Sequence, residues 1–268
     1  MKLDVKDAKN GKAGTIDMPK QFDEGVREDV IKRAVLAVQA NSRQAYGAKS
    51  DAGLRHSAEL SRRRRKYRGS YGFGISRVPR KILSRNGTRM HWVGAVAPGT
   101  VGGRRAHPPK GEKSWELKIN TKERRKAIRS ALAATLDTER VKGRGHKAPD
   151  GYPFVLDSSF ENIEKTKDLL EALKGLGFGD ELQRSSRRTI RAGKGTMRGR
   201  RYKSAVGPLL VVSTPCAASK SARNIQGISV KPVDELSAEL LAPGCAPGRL
   251  TLFTKAAIEK LSEGKLYM

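Results

Sequence analysis

The chain has 268 residues, 55 Lys and Arg against 27 Asp and Glu for a formal net charge of +28 at pH 7, and only 5% aromatic residues. That length can bury the core of one large or two modest domains, whereas so large a positive charge repels itself unless something neutralises it. Two cysteines, Cys216 and Cys245, make no disulfide framework, and no C-x-x-C pair starts a zinc site. No run approaches the roughly 18 apolar residues of a membrane span. The opening string MKLDVKDAKNGK also lacks the apolar stretch of a signal peptide. The expectation is therefore an intracellular protein in a reducing compartment, soluble or dissolved in a polyanion, with no membrane partner.

In chain order, residues 24–41 place Val26, Val30, Ile31, Ala34, Val35 and Val38 at helical spacing, with Gly47 as the expected end of that helix. From there to about residue 110 neither helical nor strand periodicity holds, and Gly, Arg and Pro punctuate the chain. A stretch that long without regular structure is functional or disordered. Asn120 and Glu123 have the spacing of a capping box, and Ala127, Ile128, Ala131, Leu132 and Leu136 form the apolar stripe of a second helix.

Short apolar runs then alternate with helical patterns. Residues 154–156 precede a pattern through Ile163, Thr166, Leu169, Leu170 and Leu173 that stops at Gly175. Runs at 209–212, 228–230 and 250–253 precede helical patterns at 217–225, 234–241 and 255–261. Continuous apolar strands alternating with helices imply an α/β fold, a three-layer globular domain around a mostly parallel central sheet. Residues 1–46 and 111–268 would form that domain, and residues 47–110 a long extended internal loop.

The charge is not spread evenly. Residues 44–112 hold sixteen basic and three acidic residues, residues 184–205 hold nine basic and none acidic, and residues 150–183 are net acidic. An ordinary domain thus carries two cationic insertions.

Enzyme chemistry finds little support. The string GKGTMRGRRY at 193–202 resembles a phosphate loop, but Arg188 stands where a Walker loop needs glycine and Arg198 where a dinucleotide fingerprint needs its third. His56, His91, His107 and His146 lie far apart without metal-ligand spacing, so no metal or cofactor is expected. Cys216, Cys245, Asp157 and Ser158 are explained by packing or helix capping, and no catalytic residue is assigned.

The insertions read differently. Arg62, Arg63, Arg64, Arg65 and Lys66 in isolation would suit a solvated run or a nuclear-localisation signal. Here they continue through Arg68, Arg77, Arg80, Lys81, Arg85, Arg89, Arg104, Arg105 and Lys110, interleaved with Tyr67, Tyr71, Phe73, Met90, His91 and Trp92. Cations hold phosphates while aromatic faces stack on exposed bases, and Gly and Pro allow a bent path, so folded RNA is the expected partner. So apolar-poor a segment cannot offset its ordering entropy alone and would be disordered when free.

The strings VQANSRQAYG (38–47), AGLRHSAEL (52–60), VGGRRAHPPK (101–110), SALAAT (130–135), AGKGTMRGRRY (192–202), SARNIQG (221–227) and LAPGCAPGRLTLFT (241–254) carry a resemblance. The chain resembles, nearly end to end, the large-subunit ribosomal protein L four family in its archaeal and eukaryotic branch. The lack of a long basic extension after Met268 looks archaeal, and Cys245 departs from the glycine expected at that position. The resemblance implies a structural, cytoplasmic constituent of the ribosome that binds 23S-type rRNA and takes part early in subunit assembly. It would contact other large-subunit proteins, and no homo-oligomer is expected. Residues 47–110 would penetrate the rRNA, with Arg55 and His107 joining the cations and aromatics above as RNA contacts. The distal part, Gly69, Tyr71, Phe73, Arg77, Arg80, Arg85 and Met90, would lie near the constriction of the exit tunnel and the nascent polypeptide. The second loop, 190–203, with its flank, would set Arg187, Arg188, Arg191, Lys194, Arg198, Arg200, Arg201, Tyr202 and Lys203 on RNA. An RNA-modifying enzyme on a doubly wound sheet and a free regulatory RNA binder remain the alternatives.

Overall fold

The computed structural model describes residues 1–268. The elements in chain order are β1 (Lys2–Lys6), β2 (Lys12–Asp17), α1 (Glu28–Asn41), β3 (Arg80–Asn86), β4 (Arg89–Gly94), α2 (Thr121–Leu136) and α3 (Thr138–Gly143). There follow β5 (Val155–Leu156), α4 (Thr166–Gly175), α5 (Gly179–Ser186), β6 (Arg188–Ile190), β7 (Tyr202–Ser204) and β8 (Leu209–Val212). The chain closes with α6 (Ala217–Ser221), β9 (Ser229–Pro232), α7 (Ala238–Leu241), β10 (Thr251–Thr254) and α8 (Lys255–Glu263). Two compact units result, one from Met1–Ser42 with Glu116–Met268 and the other from Arg43–Trp115.

The first unit is built on a six-stranded sheet of order β2-β1-β5-β10-β8-β9, in which β1 and β2 pair antiparallel and every other pair is parallel. Side chains alternate across a strand, and in the central strands β5, β8 and β10 both faces are covered. Val155, Leu209, Val211 and Phe253 enter a core with Ile31, Val35 and Leu132 of α1 and α2 and Leu241 and Ile258 of α7 and α8. Their neighbours Leu156, Leu210, Val212 and Leu252 enter the opposite core with Val141, Leu169, Leu173 and Leu182 of α3, α4 and α5. This is why the strands read as unbroken apolar runs: each has no solvent face on which to place a polar residue.

Three sequence expectations need correction. Helix α1 ends at Asn41, not Gly47, because the Asn41 side chain turns to Leu117, accepting its N–H at 2.9 Å and donating to its carbonyl at 3.4 Å. Gly47 instead allows a close approach: a Cβ there would lie 2.4 Å from the Gly111 nitrogen. Helix α2 does start after Asn120, but the Asn120 side chain makes no capping bond and Glu123 pairs with Arg33 at 3.1 Å, so the capping box is not formed. Finally, residues 80–94 are not irregular. They form the antiparallel hairpin β3–β4, whose two-residue turn, Gly87 (φ 59°) and Thr88, places glycine in the left-handed region as hairpins favour.

Elements the periodicity did not predict are the β1–β2 hairpin, which turns at Asn10 (φ 64°), α3, α5 and the β6–β7 hairpin. Leu3 and Val5 are the inward pair of β1 and belong to the first core.

Candidate nucleic-acid interface

Within Arg43–Trp115, two stretches of chain run side by side. The Ala48 N–H donates to the Pro109 carbonyl at 2.9 Å, and Gly53 (φ 79°) sits so close that a Cβ would fall 2.5 Å from the Arg104 Cα. Farther along, the ring Nε2 of His56 lies 3.3 Å from the Gly102 carbonyl. Almost nothing in this unit is buried; Ala95 is its sole apolar side chain in that state, beside Ser70. With no apolar core, hydrogen bonds between backbones and arginine-to-aromatic contacts shape it.

Those contacts involve several of the expected site residues. Arg80 is half-buried and spent internally: its guanidinium donates to Ser70 Oγ, the Val78 carbonyl and Ser76 Oγ, and stacks 5.6 Å from Trp92. Arg77 lies 4.9 Å over Tyr71, while Arg68 and Arg85 lie 5.6 and 5.2 Å from the Tyr67 ring. Arg85 also donates to the Gly87 carbonyl at 2.7 Å. Gly69 closes a turn on Lys66 (2.8 Å), leaving Arg62, Arg63, Arg64, Arg65, Lys66 and Arg68 exposed around it. Phe73 is 63% exposed, and Arg89, Arg104, Arg105, His107 and Lys110 are exposed as well. Lys81, Tyr71, Met90 and Trp92 are half-buried. Arg55 is held by Asp51 at 2.6 Å, an exposed pair that lowers the Asp51 pKa through the hydrogen bond it donates.

The sequence reading missed a cluster at the ends of this unit. Tyr46 stacks on Trp115 with centroids 5.5 Å apart, Arg43 lies 3.9 Å over the same indole and Lys113 4.4 Å from it. The available signal was Trp115 itself, one of two tryptophans, set among cations.

The second cationic segment is the hairpin β6–β7, paired from Arg188↔Ser204 to Ile190↔Tyr202. Every residue of both strands is exposed, and Ile190 and Tyr202 share one face at 65% and 52% exposure. Arg191 organises the tip by donating to the Arg200 carbonyl at 3.0 Å and the Tyr202 carbonyl at 3.4 Å, while Arg201 lies 5.6 Å from the Tyr202 ring. Arg187, Arg188, Lys194, Arg198, Arg200, Arg201 and Lys203 point outward.

The root of this hairpin is rigid for identifiable reasons. Glu181 is fully buried and accepts from Arg184 through both oxygens (2.6 and 2.8 Å) and from the Lys147 N–H (2.9 Å), with His146 Nδ1 at 2.7 Å. Burial opposes its ionisation, but the hydrogen bonds from Arg184, His146 and Lys147 prevail and hold its carboxyl down at about 2. Arg184 also donates to the Val206 carbonyl at 2.7 Å, and Gly207 packs against the Gly227 carbonyl where a Cβ would stand 2.4 Å away. Both ends of the hairpin are therefore fixed to the α/β unit.

Elsewhere polar groups serve the fold. Asp157 caps the turn after β5, its carboxyl lowered by the Ser159 hydrogen bonds, and Glu161 accepts from Ser213 and Thr254 where β8 and β10 end. Cys216 caps α6. No three His, Cys, Asp or Glu side chains come together as metal ligands.

Charge pairing separates the two kinds of surface. Every ion pair but Arg55–Asp51 lies in the α/β unit, and none involves a cation of residues 187–203. The unpaired cations thus concentrate in the two insertions, a pattern suited to a polyanion whose phosphates are spaced along a chain.

Comparison with known proteins agrees. The profile described as the ribosomal protein L4/L1 family matches residues 16–264. The chain is 48% identical over 268 residues to the large ribosomal subunit protein uL4 of Nanoarchaeum equitans, covering 100% of both chains. It is 44% identical over 266 residues to the protein of that name from Halobacterium salinarum, covering 98% of this chain and 100% of the relative. For the uL4 of Archaeoglobus fulgidus the identity is 42% over 264 residues, 98% of this chain and 99% of the relative. With nearly every residue of the fold and both insertions inside that match, the chain belongs to the ribosomal protein L4/L1 family.

Proposed function

We infer that the chain is a structural, non-enzymatic constituent of the large ribosomal subunit, whose partners are rRNA and other ribosomal proteins. The observation that carries this is the contrast in charge pairing, since every ion pair but Arg55–Asp51 joins side chains of the α/β unit while nearly all cations of the insertions have no acidic partner. Family membership and the uL4 relatives support the same reading. Residues 47–110 act as a long loop that penetrates 23S-type rRNA, and the hairpin around residues 190–203 binds rRNA at the α/β unit. Arg62 to Arg68, Arg89, Arg104, Arg105 and Lys110 neutralise phosphates in the first. Arg187, Arg188, Lys194, Arg198, Arg200, Arg201 and Lys203 do so in the second. Arg80 and Arg191 hold the shape of their segments instead, because their guanidiniums are already spent on carbonyls and hydroxyls. The distal residues from Gly69 to Met90 line the exit tunnel and face the nascent polypeptide. The protein acts in the cytoplasm, early in subunit assembly, as a single copy.

Co-sedimentation with large subunits through a high-salt cushion tests the whole reading. Recovery only in the soluble fraction would favour a free regulatory RNA binder. For isolated protein and rRNA fragments, log affinity should fall against log salt with a slope of about −0.7 to −0.9 per phosphate neutralised. A flat profile contradicts the mechanism. Deleting residues 60–100 should leave the α/β unit folded and impair subunit maturation; unchanged particles would remove the role assigned to the loop.

A further inference from the structure

Between the two places where the paired stretches of Arg43–Trp115 are pinned, the chains separate. At one end the Ala48 N–H bonds to Pro109 beside the Gly47–Gly111 contact, and at the other Gly53 abuts Arg104. The window encloses a cavity of about 590 Å³. Its apolar surface comes from Ala48, Ala52, Leu54, Pro108 and Pro109, with Leu54 45% exposed. Around it stand Lys49, Arg104, Arg105 and Lys110, none of which has an acidic partner. Asp51, the nearest acid in sequence, is already neutralised by Arg55. Glu112 is the lining's single carboxylate.

We propose that this cavity receives one unstacked ribonucleotide, bulged or looped out of an rRNA helix, with its base against Leu54 and the prolines and its flanking phosphates on Lys49, Arg104, Arg105 and Lys110. The volume lies within the roughly 300–1,000 Å³ of sites that enclose a small ligand. A flat base fits the apolar part of the lining, and the cations suit phosphates of the strand entering and leaving. A paired base could not enter, so the site recognises single-stranded structure, the form in which RNA exposes whole bases. Glu112 provides an acceptor for an amino or imino N–H on the edge of that base. Nothing about the cavity suits an acidic peptide equally, because such a ligand carries no large planar apolar group at regular spacing between its charges.

The proposal rests on the rRNA-binding reading, and its test separates the two. Binding of the full chain is measured to two hairpin RNAs of equal length, one fully paired and one with a single bulged 2-aminopurine. A preference of about tenfold for the bulged RNA, with a fluorescence change of the 2-aminopurine on binding, is the expected result. Ala52→Trp, which fills the cavity, should abolish the preference and leave the affinity for the paired hairpin unchanged. Leu54→Asn, which adds no bulk to disturb the pairing of the two stretches, should do the same. Equal affinity for both RNAs with a steep salt dependence, or a preference that survives both substitutions, overturns the pocket while the rRNA-binding reading stands. Salt-independent or absent binding to both RNAs overturns the reading and the pocket together.

Discussion

Glu181 gives the most direct measure of how the α/β unit holds its second cationic hairpin. Its carboxylate is 0% exposed and accepts from Arg184, His146 and the Lys147 N–H. In Glu181→Gln the shape is kept, the charge is lost, and Arg184 and His146 face a neutral amide. The folded carboxyl sits at about 2 against an ordinary 4.5, a difference that corresponds to about 3 kcal/mol at neutral pH. Breaking one partner of a buried ion pair costs a similar roughly 3–5 kcal/mol. Because the folded pKa is depressed, this stability is fully present above pH 4.5 and disappears as the pH falls towards 2. Urea unfolding of both proteins across that range should show a gap of about 3 kcal/mol at pH 7 that closes in acid. Other carboxylates titrate identically in both and cancel in the difference. A gap below about 1 kcal/mol at pH 7, or one that does not change with pH, refutes the reasoning. The same substitution frees Arg184 from its alignment towards Val206, so RNA affinity should fall although no RNA-facing side chain has changed.

Gly53→Ala forces a Cβ to within 2.5 Å of the Arg104 backbone at a left-handed φ of 79°. The pairing near residues 53 and 104 should open, giving faster proteolysis within residues 43–115, while the unfolding of the α/β unit stays within about 0.5 kcal/mol of wild type. Exposed and unpaired, Arg198 and Arg201 should each contribute to phosphate neutralisation, so the double alanine variant should reduce the salt slope of RNA binding by about 1.4–1.8. Arg191→Ala should instead leave affinity weakened by a loosened tip, seen as faster amide exchange at residues 191–202, since its guanidinium serves the Arg200 and Tyr202 carbonyls. Cys245 has φ 68°, where a β-branched side chain is strained, so Cys245→Val should cost about 1–2 kcal/mol in urea unfolding and Cys245→Gly should cost less.

The parallel sheet was legible because burial on both faces writes itself as apolar runs, and residues 209–212 were placed to the residue. Signals that were present but outweighed account for the missed hairpins. Asn10-Gly11 and Asn86-Gly87 both carry a turn signal, yet β2 and β3 beside them are largely exposed and lack the alternation that burial on one face produces, and the alternation of β1 is confined to Lys2–Lys6. Exposed strands stabilised by backbone pairing alone leave little trace in hydropathy. The premature end of α1 was hidden for a different reason: it depends on Asn41 meeting Leu117, 76 positions away. Which cations would be spent internally was equally hidden, because Arg80 and Arg191 find carbonyls and hydroxyls only once their turns have formed.

The choice of cation carries a final step of the argument. Across residues 44–112 and 184–205, nineteen of 25 basic residues are Arg, whereas in the rest of the chain ten of 30 are. Charge alone cannot explain the reversal, since Lys neutralises a phosphate as well as Arg does. A guanidinium differs in offering a planar fork that engages two phosphate oxygens and a flat face that stacks on aromatic rings. The insertions use the second property visibly, with Arg68, Arg77, Arg80, Arg85 and Arg201 over tyrosine or tryptophan rings. Lacking an apolar core, a segment shaped by such stacking keeps its path while presenting its remaining N–H groups outward. Replacing the insertion arginines by lysine would preserve the net charge of +28 and remove both functions. RNA binding by that variant should therefore keep its salt slope but lose affinity at every salt concentration, whereas full retention of affinity would reduce the insertions to simple counter-charge.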